Sequence, residues 1–130
     1  MTRVLLIDDD PSIQEVYSRL LRDEGFQVSQ ATNADKATEL LITKPFDLIL
    51  LDIHMPRVDG SVMREVIECY DENLKIIVSS VYPLSEQQKR VPKAAEYFDK
   101  SHGTELLMEI IRRVMKNEAE DPSNEKKVKR

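Results

Sequence analysis

Hydrophobic and polar positions along the chain follow two different periodicities. Short apolar runs of strand length occur five times, and the first, third and fourth of them are nearly continuous in apolar residues. Continuous runs of this kind are typical of parallel strands whose two faces are both covered. The runs are residues 4–8, 26–30, 47–52, 75–80 and 96–99.

The segment between the first two runs has helical periodicity. Its apolar residues recur at i, i+3, i+4, i+7 and i+8, which predicts a helix over 11–24 with one buried face. Asp10 and Pro11 form the start that is typical of a helix, and Gly25 is typical of the residue just past its end. The residues expected to face the core are Ile13, Val16, Tyr17, Leu20 and Leu21.

Later segments between the apolar runs are also predicted to be helical. Helices are expected after Asn33, after Gly60 and from about Thr104. Residues 83–93 contain few apolar side chains, and they predict either a short helix of about two turns or a loop. The residues expected to face the core are Ala34, Ala37, Leu40, Leu41, Val62, Val66, Ile67, Leu106, Leu107, Ile110, Ile111 and Val114.

Regular alternation of strands and helices predicts an α/β fold. The crossovers between parallel strands are right-handed, so helices are expected on both faces of one parallel sheet. Residues 117–130 have almost no apolar side chains and are typical of a flexible segment or a fraying helix end. We therefore expect a domain over residues 1–117 and a flexible charged tail over 118–130.

Composition excludes several classes of protein. The 130 residues suffice for one domain, and 24 acidic against 19 basic residues give a net charge of −5, which argues against a nucleic-acid partner. Neither a membrane-spanning apolar run nor a signal peptide is present, so we expect a cytoplasmic protein with no membrane partner. The single cysteine, Cys69, rules out an internal disulfide, and three glycines are too few for a glycine-rich phosphate loop.

Polar residues follow the predicted strands at one end. Because parallel strands end at the same edge of a sheet, these residues are expected to converge there. Carboxylate oxygens suit Mg²⁺, a lysine can hold an anionic oxygen, and a hydroxyl can donate to another. Such a set fits a phosphoryl group, with one carboxylate as the nucleophile that forms an acyl phosphate. The residues are Asp8, Asp9, Asp10, Asp52, Ser80 and Lys100, of which Asp10 is expected to act only as a helix cap.

The chain resembles the receiver domains of two-component response regulators over about residues 2–117. The stretches that carry the resemblance are "LLIDDD", "LILLDIHMPRVDG", "KIIVSS" and "YFDKS". The most specific is the block D-x-x-M-P-x-x-D-G, formed by Asp52, Met55, Pro56, Asp59 and Gly60. The resemblance implies a flavodoxin-like, doubly wound sheet of five parallel strands in the order 2-1-3-4-5.

Roles for the converging residues follow from the resemblance. It implies that Asp52 accepts the phosphoryl group and that Lys100 contacts first this carboxylate and then the phosphoryl oxygens. It implies Mg²⁺ as the cofactor, bound by Asp9, Asp52 and the backbone carbonyl of His54, with Asp8 helping through a water or an indirect contact.

The resemblance also implies residues that respond to phosphorylation and residues that control how long the phosphoryl group lasts. Ser80 corresponds to the switch hydroxyl, for which Ser79 is the alternative, and Tyr97 to the aromatic residue whose rotamer follows it. His54 and Tyr82 correspond to the side chains that flank the water attacking the acyl phosphate, and they are expected to modulate dephosphorylation.

The implied function is that of a stand-alone receiver. It would accept a phosphoryl group from a phosphohistidine onto Asp52 and signal through phosphorylation-dependent protein contacts, as a switch or a phosphorelay intermediate. The donor would be a sensor histidine kinase or a histidine phosphotransfer domain, and the sequence identifies neither the downstream target nor the oligomeric state. Such a protein catalyses its own phosphorylation and dephosphorylation, and it is not an enzyme acting on an external substrate.

Two of the sequence's departures from the family's usual pattern directly follow the lysine and the switch hydroxyl. Ser101 stands where a proline with a cis peptide bond usually follows the lysine, and a cis bond to another residue costs roughly 3 kcal/mol. Val81 stands where a small residue usually follows the switch hydroxyl. Both departures adjoin the fourth helix, fifth strand and fifth helix, which commonly form the family's output face.

Alternatives from other classes remain at this stage. A haloacid-dehalogenase-type phosphatase uses D-x-D-x-[TV], which Asp8 and Asp10 approach, but it needs an acidic motif after its lysine that this chain lacks. A flavin-binding domain needs a Ser/Thr/Gly-rich phosphate loop where this chain has "DDDPS". A receiver-like module that binds partners without phosphorylation is the third alternative.

Overall fold

A computed structural model describes residues 2–55 and 60–120 of the chain, with side chains as far as residue 116. Strands and helices alternate from the first element to the last, as the periodicity predicts. The elements are β1 (Arg3–Ile7), α1 (Pro11–Asp23), β2 (Gln27–Ala31), α2 (Ala34–Thr43), β3 (Leu48–Leu51), α3 (Gly60–Tyr70), β4 (Lys75–Ser80), α4 (Leu84–Arg90), β5 (Glu96–Asp99) and α5 (Thr104–Glu120).

The strands form a single parallel sheet in the order β2-β1-β3-β4-β5. The doubly wound fold and the strand order implied by the resemblance are therefore confirmed. Ile7 of β1 lies beside Leu51 of β3, which in turn lies beside Val78 of β4. Since all strands run the same way, the residues that follow Ile7, Leu51 and Ser80 emerge at one edge of the sheet.

Apolar residues cover both faces of this sheet. One core layer lies between the sheet and α2 and α3, where Leu40 and Ile67 are buried, and the other lies between the sheet and α1 and α5, where Leu21 and Ile111 are buried. Helices therefore cover both faces, as predicted. Within the described residues no helix is long and apolar enough to cross a membrane.

Helix starts agree with the signals in the sequence. The side chain of Asp10 accepts a hydrogen bond from the backbone of Ser12 at 2.9 Å, with Pro11 as the first residue of α1. Asn33 caps α2 in the same way, through Lys36. Gly25, just past α1, has a φ of +94°, which glycine adopts without strain.

Three residues predicted to face the core are instead exposed. Val16, Val62 and Leu106 have exposed fractions of 43%, 54% and 40%. In α3 the buried line runs through Gly60 instead. A Cβ added there would lie 2.4 Å from the side chain of Ile53, so the helix starts too close to the segment after β3 for a larger residue. The prediction is wrong at these positions because each helix contacts the sheet over a narrower width than its apolar stripe. Residues at the edge of the stripe are therefore exposed to solvent.

Two questions that remained open after the sequence analysis concern residues that the structure describes. Residues 83–93 contain the short helix α4, and the described residues contain no cis peptide bond, so the bond from Lys100 to Ser101 is trans. Helix α5 continues to Glu120, past the expected domain end at residue 117. Residues 56–59, which belong to the block D-x-x-M-P-x-x-D-G, and residues 121–130 lie outside the described residues. The flexible tail therefore stays a prediction.

Candidate functional site

The strand ladder continues for one residue beyond several strand ends and so fixes the polar residues that follow. The backbone N–H of Asp8 donates to Ala31 at 3.0 Å, and that of Asp52 donates to the carbonyl of Ile7 at 2.9 Å. The N–H of Lys100 donates to the carbonyl of Ser80 at 2.9 Å. The three side chains therefore start from backbone positions that the sheet itself holds.

Lys100 lies between the two buried carboxylates of the site. Its Nζ lies 2.5 Å from Oδ2 of Asp8 and 3.2 Å from Oδ2 of Asp52. The other oxygen of each carboxylate accepts a backbone N–H two residues later, from Asp10 at 3.0 Å and from His54 at 2.8 Å. Lys100, from the far end of the domain, thus supplies a positive charge between two carboxylates that would otherwise repel each other.

The charged side chains of the site are almost completely buried. The side chains of Asp8, Asp52 and Lys100 are exposed by only 2%, 4% and 9%. Burial raises the pKa of Asp8 above its ordinary value, although the hydrogen bond from Lys100 opposes this. Burial alone would lower the pKa of Lys100, but Asp8 and Asp52 outweigh it and the net shift is upward. Because of its burial, Asp8 therefore holds its proton more tightly than an isolated carboxyl group would.

The acidic residues also fit a hard cation. One carboxylate oxygen each of Asp8, Asp9 and Asp52 lies within 4.8 Å of the others. Asp9 is exposed, so the group opens to solvent on one side, which suits a Mg²⁺ ion that keeps several of its waters. The donor set thus fits Mg²⁺; the role of the His54 carbonyl stays a prediction.

The two candidate switch residues differ in where their polar groups lie. The Ser80 hydroxyl is fully buried and accepts the N–H of Tyr82 at 3.2 Å. Ser79 points to the opposite face of the sheet, where its side chain is also buried. The Tyr97 hydroxyl donates to the carbonyl of Val91 at 2.6 Å and accepts the N–H of Ala94 at 3.1 Å. Tyr97 is therefore tied to the segment after α4, and it is not bonded to Ser80.

Two aromatic rings meet beside the carboxylates. The rings of His54 and Tyr82 pack edge to face with centroids 5.0 Å apart. The guanidinium carbon of Arg90 lies 4.3 Å from the centroid of the Tyr82 ring, and Arg90 is itself paired with Glu86 at 2.7 Å. The residues that the sequence pairs as flanking groups are thus in contact, and α4 holds one of them.

Sequence reasoning missed two buried glutamines beneath the site. Nε2 of Gln14 donates to the carbonyls of Asp8 and Ala31, and Nε2 of Gln87 donates to those of Tyr82 and Phe98. Each side chain bridges the ends of two neighbouring strands. Gln87 does carry a signal, because it lies at helical spacing between Leu84 and the buried Val91, but hydrophobicity alone assigns a glutamine to the surface.

Comparison with known proteins places this geometry in a family. The family model described as "Response regulator receiver domain" matches residues 4–112. The chain is 29% identical over 120 residues to the DNA-binding dual master transcriptional regulator RpaA of Synechocystis, covering 89% of this chain and 50% of that protein. It is 24% identical to Sporulation initiation phosphotransferase F of Bacillus subtilis, covering 87% of this chain and 93% of that protein. The match thus spans half of the first relative and nearly all of the second.

One solved structure of a similar protein is a complex with a metal ion and BeF. It is the response regulator TrrA from Thermotoga maritima in complex with Mg²⁺ and BeF, which is 28% identical to this chain with a TM-score of 0.75. The alignment covers 88% of this chain and 99% of that one. TrrA has also been solved in complex with the histidine kinase ThkA.

Proposed function

The chain belongs to the response regulator receiver domain family, whose members are phosphorylated by histidine kinases, and we propose that its phosphoryl acceptor is Asp52. The observation that carries the proposal is the position of this carboxylate. Asp52 is buried at the end of the central strand β3, 3.2 Å from the ammonium of Lys100 and within 4.8 Å of the carboxylates of Asp8 and Asp9. Asp8 is also buried and also contacts Lys100, so the position at the end of the central strand β3 is what distinguishes Asp52.

The proposed reaction moves one phosphoryl group from nitrogen to oxygen. A carboxylate oxygen of Asp52 attacks the phosphorus of a phosphohistidine, the P–N bond breaks, and the imidazole leaves with the electron pair. Lys100 neutralises negative charge beside the acceptor, and the Ser80 hydroxyl can donate its proton to a phosphoryl oxygen. Mg²⁺ at Asp8, Asp9 and Asp52 would neutralise phosphoryl charge when bound.

The receiver by itself is proposed to be the signalling unit. Support comes from Sporulation initiation phosphotransferase F and TrrA, of which the chain covers 93% and 99%. The donor would be a histidine kinase or a histidine phosphotransfer domain, and the output would be a phosphorylation-dependent protein contact.

Phosphoramidate tests the proposal directly because its P–N bond imitates that of phosphohistidine. Incubation of the chain with phosphoramidate and Mg²⁺ should add one phosphoryl group per molecule, counted by intact mass. The same incubation with a chelator in place of Mg²⁺ should add none. A chain that takes up no phosphoryl group from phosphoramidate or from any phosphorylated kinase would contradict the proposed function.

Replacing Asp9 by asparagine is expected to weaken Mg²⁺ binding at least about tenfold. Asp9 is the exposed member of the acidic group, so the change removes a ligand charge without leaving a buried charge unpaired. The measurement is the Mg²⁺ concentration that gives half of the metal-induced rise in melting temperature. Asp10→Asn is the matched control, because asparagine caps α1 about as well and the residue adjoins the site. Equal Mg²⁺ affinity in the wild type and Asp9→Asn would show that Asp9 is not a ligand.

Replacing Tyr82 by alanine is expected to speed the loss of the Asp52 phosphoryl group about tenfold. Hydrolysis needs a water in line with the bond that breaks. The Tyr82 ring contacts His54 and Arg90, and we propose that it obstructs the approach of this water. The measurement is the decay of phosphorylated protein after the donor is removed. A long-lived phosphoryl group in the wild type would suit a relay intermediate.

Two further variants give this experiment its controls. Tyr70→Ala removes an exposed tyrosine at the C-terminal end of α3 and should leave the decay unchanged. His54→Ala separates obstruction from general-base catalysis, since a loss of rate that depends on pH would assign the base role to the imidazole. Slower decay in Tyr82→Ala than in the wild type would refute the obstruction.

A further inference from the structure

Helix α4 is attached to the site through one buried side chain. All seven residues of α4 are described, and Gln87 is the buried one. Its Nε2 donates to the carbonyl of Tyr82 at 2.7 Å and to that of Phe98 at 2.9 Å, with the carbonyl of Ser80 at 3.4 Å. The side chain therefore holds together the ends of β4 and β5, which carry Ser80 and Lys100.

A continuous path of hydrogen bonds leads from the Ser80 hydroxyl to this helix. The hydroxyl accepts the N–H of Tyr82, and the carbonyl of the same residue accepts the shortest bond from Gln87. If the hydroxyl turns toward a phosphoryl group on Asp52, the N–H of Tyr82 loses its acceptor. The backbone at Tyr82 is then free to shift, and the strongest acceptor of Gln87 moves with it.

The attachment of α4 is weak enough to be displaced. Oε1 of Gln87 is buried and has no hydrogen-bond partner among the described residues, which costs stability in the position observed. The helix is short, and its N-cap residue, Pro83, makes no side-chain capping bond. At the other end the Tyr97 hydroxyl bonds to the carbonyl of Val91 and holds the helix there. A change at Tyr82 would thus release the first turn of α4 more easily than its last.

We propose that Gln87 is a positioning residue that couples the Ser80 hydroxyl to the position of α4. The inference rests on the proposed function, because phosphorylation of Asp52 is the event that turns the hydroxyl. In the unphosphorylated protein Gln87 holds α4 against the ends of β4 and β5. In the phosphorylated protein that hold is lost, and the face that α4 presents to a partner protein changes.

Hydrogen exchange of α4 tests the coupling, with Gln87→Met as the variant. Methionine keeps the volume of the side chain and removes both donors. In the wild type, Mg²⁺ with beryllofluoride should speed the exchange of amides 84–90 about tenfold. In Gln87→Met these amides should exchange about tenfold faster than in the wild type without any ligand, and beryllofluoride should change the rate less than about twofold. Phosphorylation by phosphoramidate should persist in Gln87→Met, which separates coupling from damage to the site.

The matched control is the neighbouring residue of the same helix. Gln88 is exposed, so Gln88→Met makes the same substitution in α4 without touching the strand ends, and it should retain the full response. Gln87→Asn keeps the carboxamide but shortens its reach, and it should lose the response if Gln87→Met fails to fold. A Gln87 variant that folds and retains the full response overturns the inference. A phosphorylated wild type whose α4 exchange does not change overturns this inference alone, and a wild type that takes up no phosphoryl group overturns the proposed function with it.

Discussion

Replacing Asp52 by alanine is expected to abolish phosphorylation by phosphoramidate and Mg²⁺. The wild type should gain one phosphoryl group, and Asp52→Ala should gain none, a loss of at least about a hundredfold in initial rate, because the attacking oxygen itself is gone. The structure sharpens this expectation, since Asp52 is the buried carboxylate at the end of the central strand and contacts Lys100 at 3.2 Å. Intact mass and the mass of the peptide that contains residue 52 are the measurements.

Two variants guard the interpretation of that loss. Asp10→Asn removes a carboxylate from the same edge of the sheet while preserving the cap of α1, so it should be phosphorylated about as fast as the wild type. Asp8→Ala distinguishes the phosphatase alternative, whose nucleophile would lie in "DDDPS". Phosphorylation that survives in Asp52→Ala and vanishes in Asp8→Ala would favour that alternative and refute the proposed acceptor.

Replacing Lys100 by methionine is expected to destabilise the protein by about 3 kcal/mol at neutral pH. The change leaves the buried carboxylates of Asp8 and Asp52 without their positive partner, and removal of one member of a buried ion pair is costly. The melting temperature should fall by roughly 10 °C for a domain of this size. Mg²⁺ should recover part of the loss, because it binds only the folded protein and supplies positive charge.

The dependence on pH gives this prediction a second, independent readout. Burial already raises the pKa of Asp8, and without Lys100 that pKa rises further. A carboxyl group whose folded pKa is raised favours folding in its protonated form, so it adds stability below its unfolded pKa and loses this contribution as the pH rises through the folded pKa. The difference in melting temperature between Lys100→Met and the wild type should therefore narrow from pH 7 toward pH 4.

An exposed ion pair supplies the control for Lys100. Lys36 pairs with Glu39 at 2.7 Å on the surface of α2, with side chains exposed by 49% and 62%. Lys36→Met should cost less than about 1 kcal/mol, and its effect should vary little with pH because surface pairs contribute little. A Lys100→Met protein as stable as the wild type would show that Asp8 is already protonated at neutral pH.

Much of the fold could be predicted because its signals are local. Continuous apolar runs predicted buried parallel strands, and the pairs Asp10–Pro11 and Asn33–Ala34 predicted two helix starts that the structure has. The convergence of Asp8, Asp52 and Lys100 also followed from the sequence, since parallel strands end at one edge. The strand order itself came from resemblance, because periodicity does not specify which strands are neighbours.

Other features depend on how the elements meet. Val16, Val62 and Leu106 belong to apolar stripes and yet are exposed, because each helix contacts the sheet over a narrower width than its stripe. Sequence patterns report the polarity of a side chain and not the distance to its neighbours, so the packing decides which positions at the edge of a stripe are covered.

By itself, the sequence determined the alternation of strands and helices, the edge at which the functional groups gather, and the family. The tertiary structure alone decided that Lys100 also contacts Asp8, and that Gln14 and Gln87 lie buried beneath the strand ends. The reason is that a strand end leaves backbone carbonyls without ladder partners, and a buried carboxylate needs a counter-charge. Which side chain supplies the missing donor or counter-charge depends on the elements that the fold brings together from distant parts of the sequence. Hydrophobic periodicity does not predict these contacts.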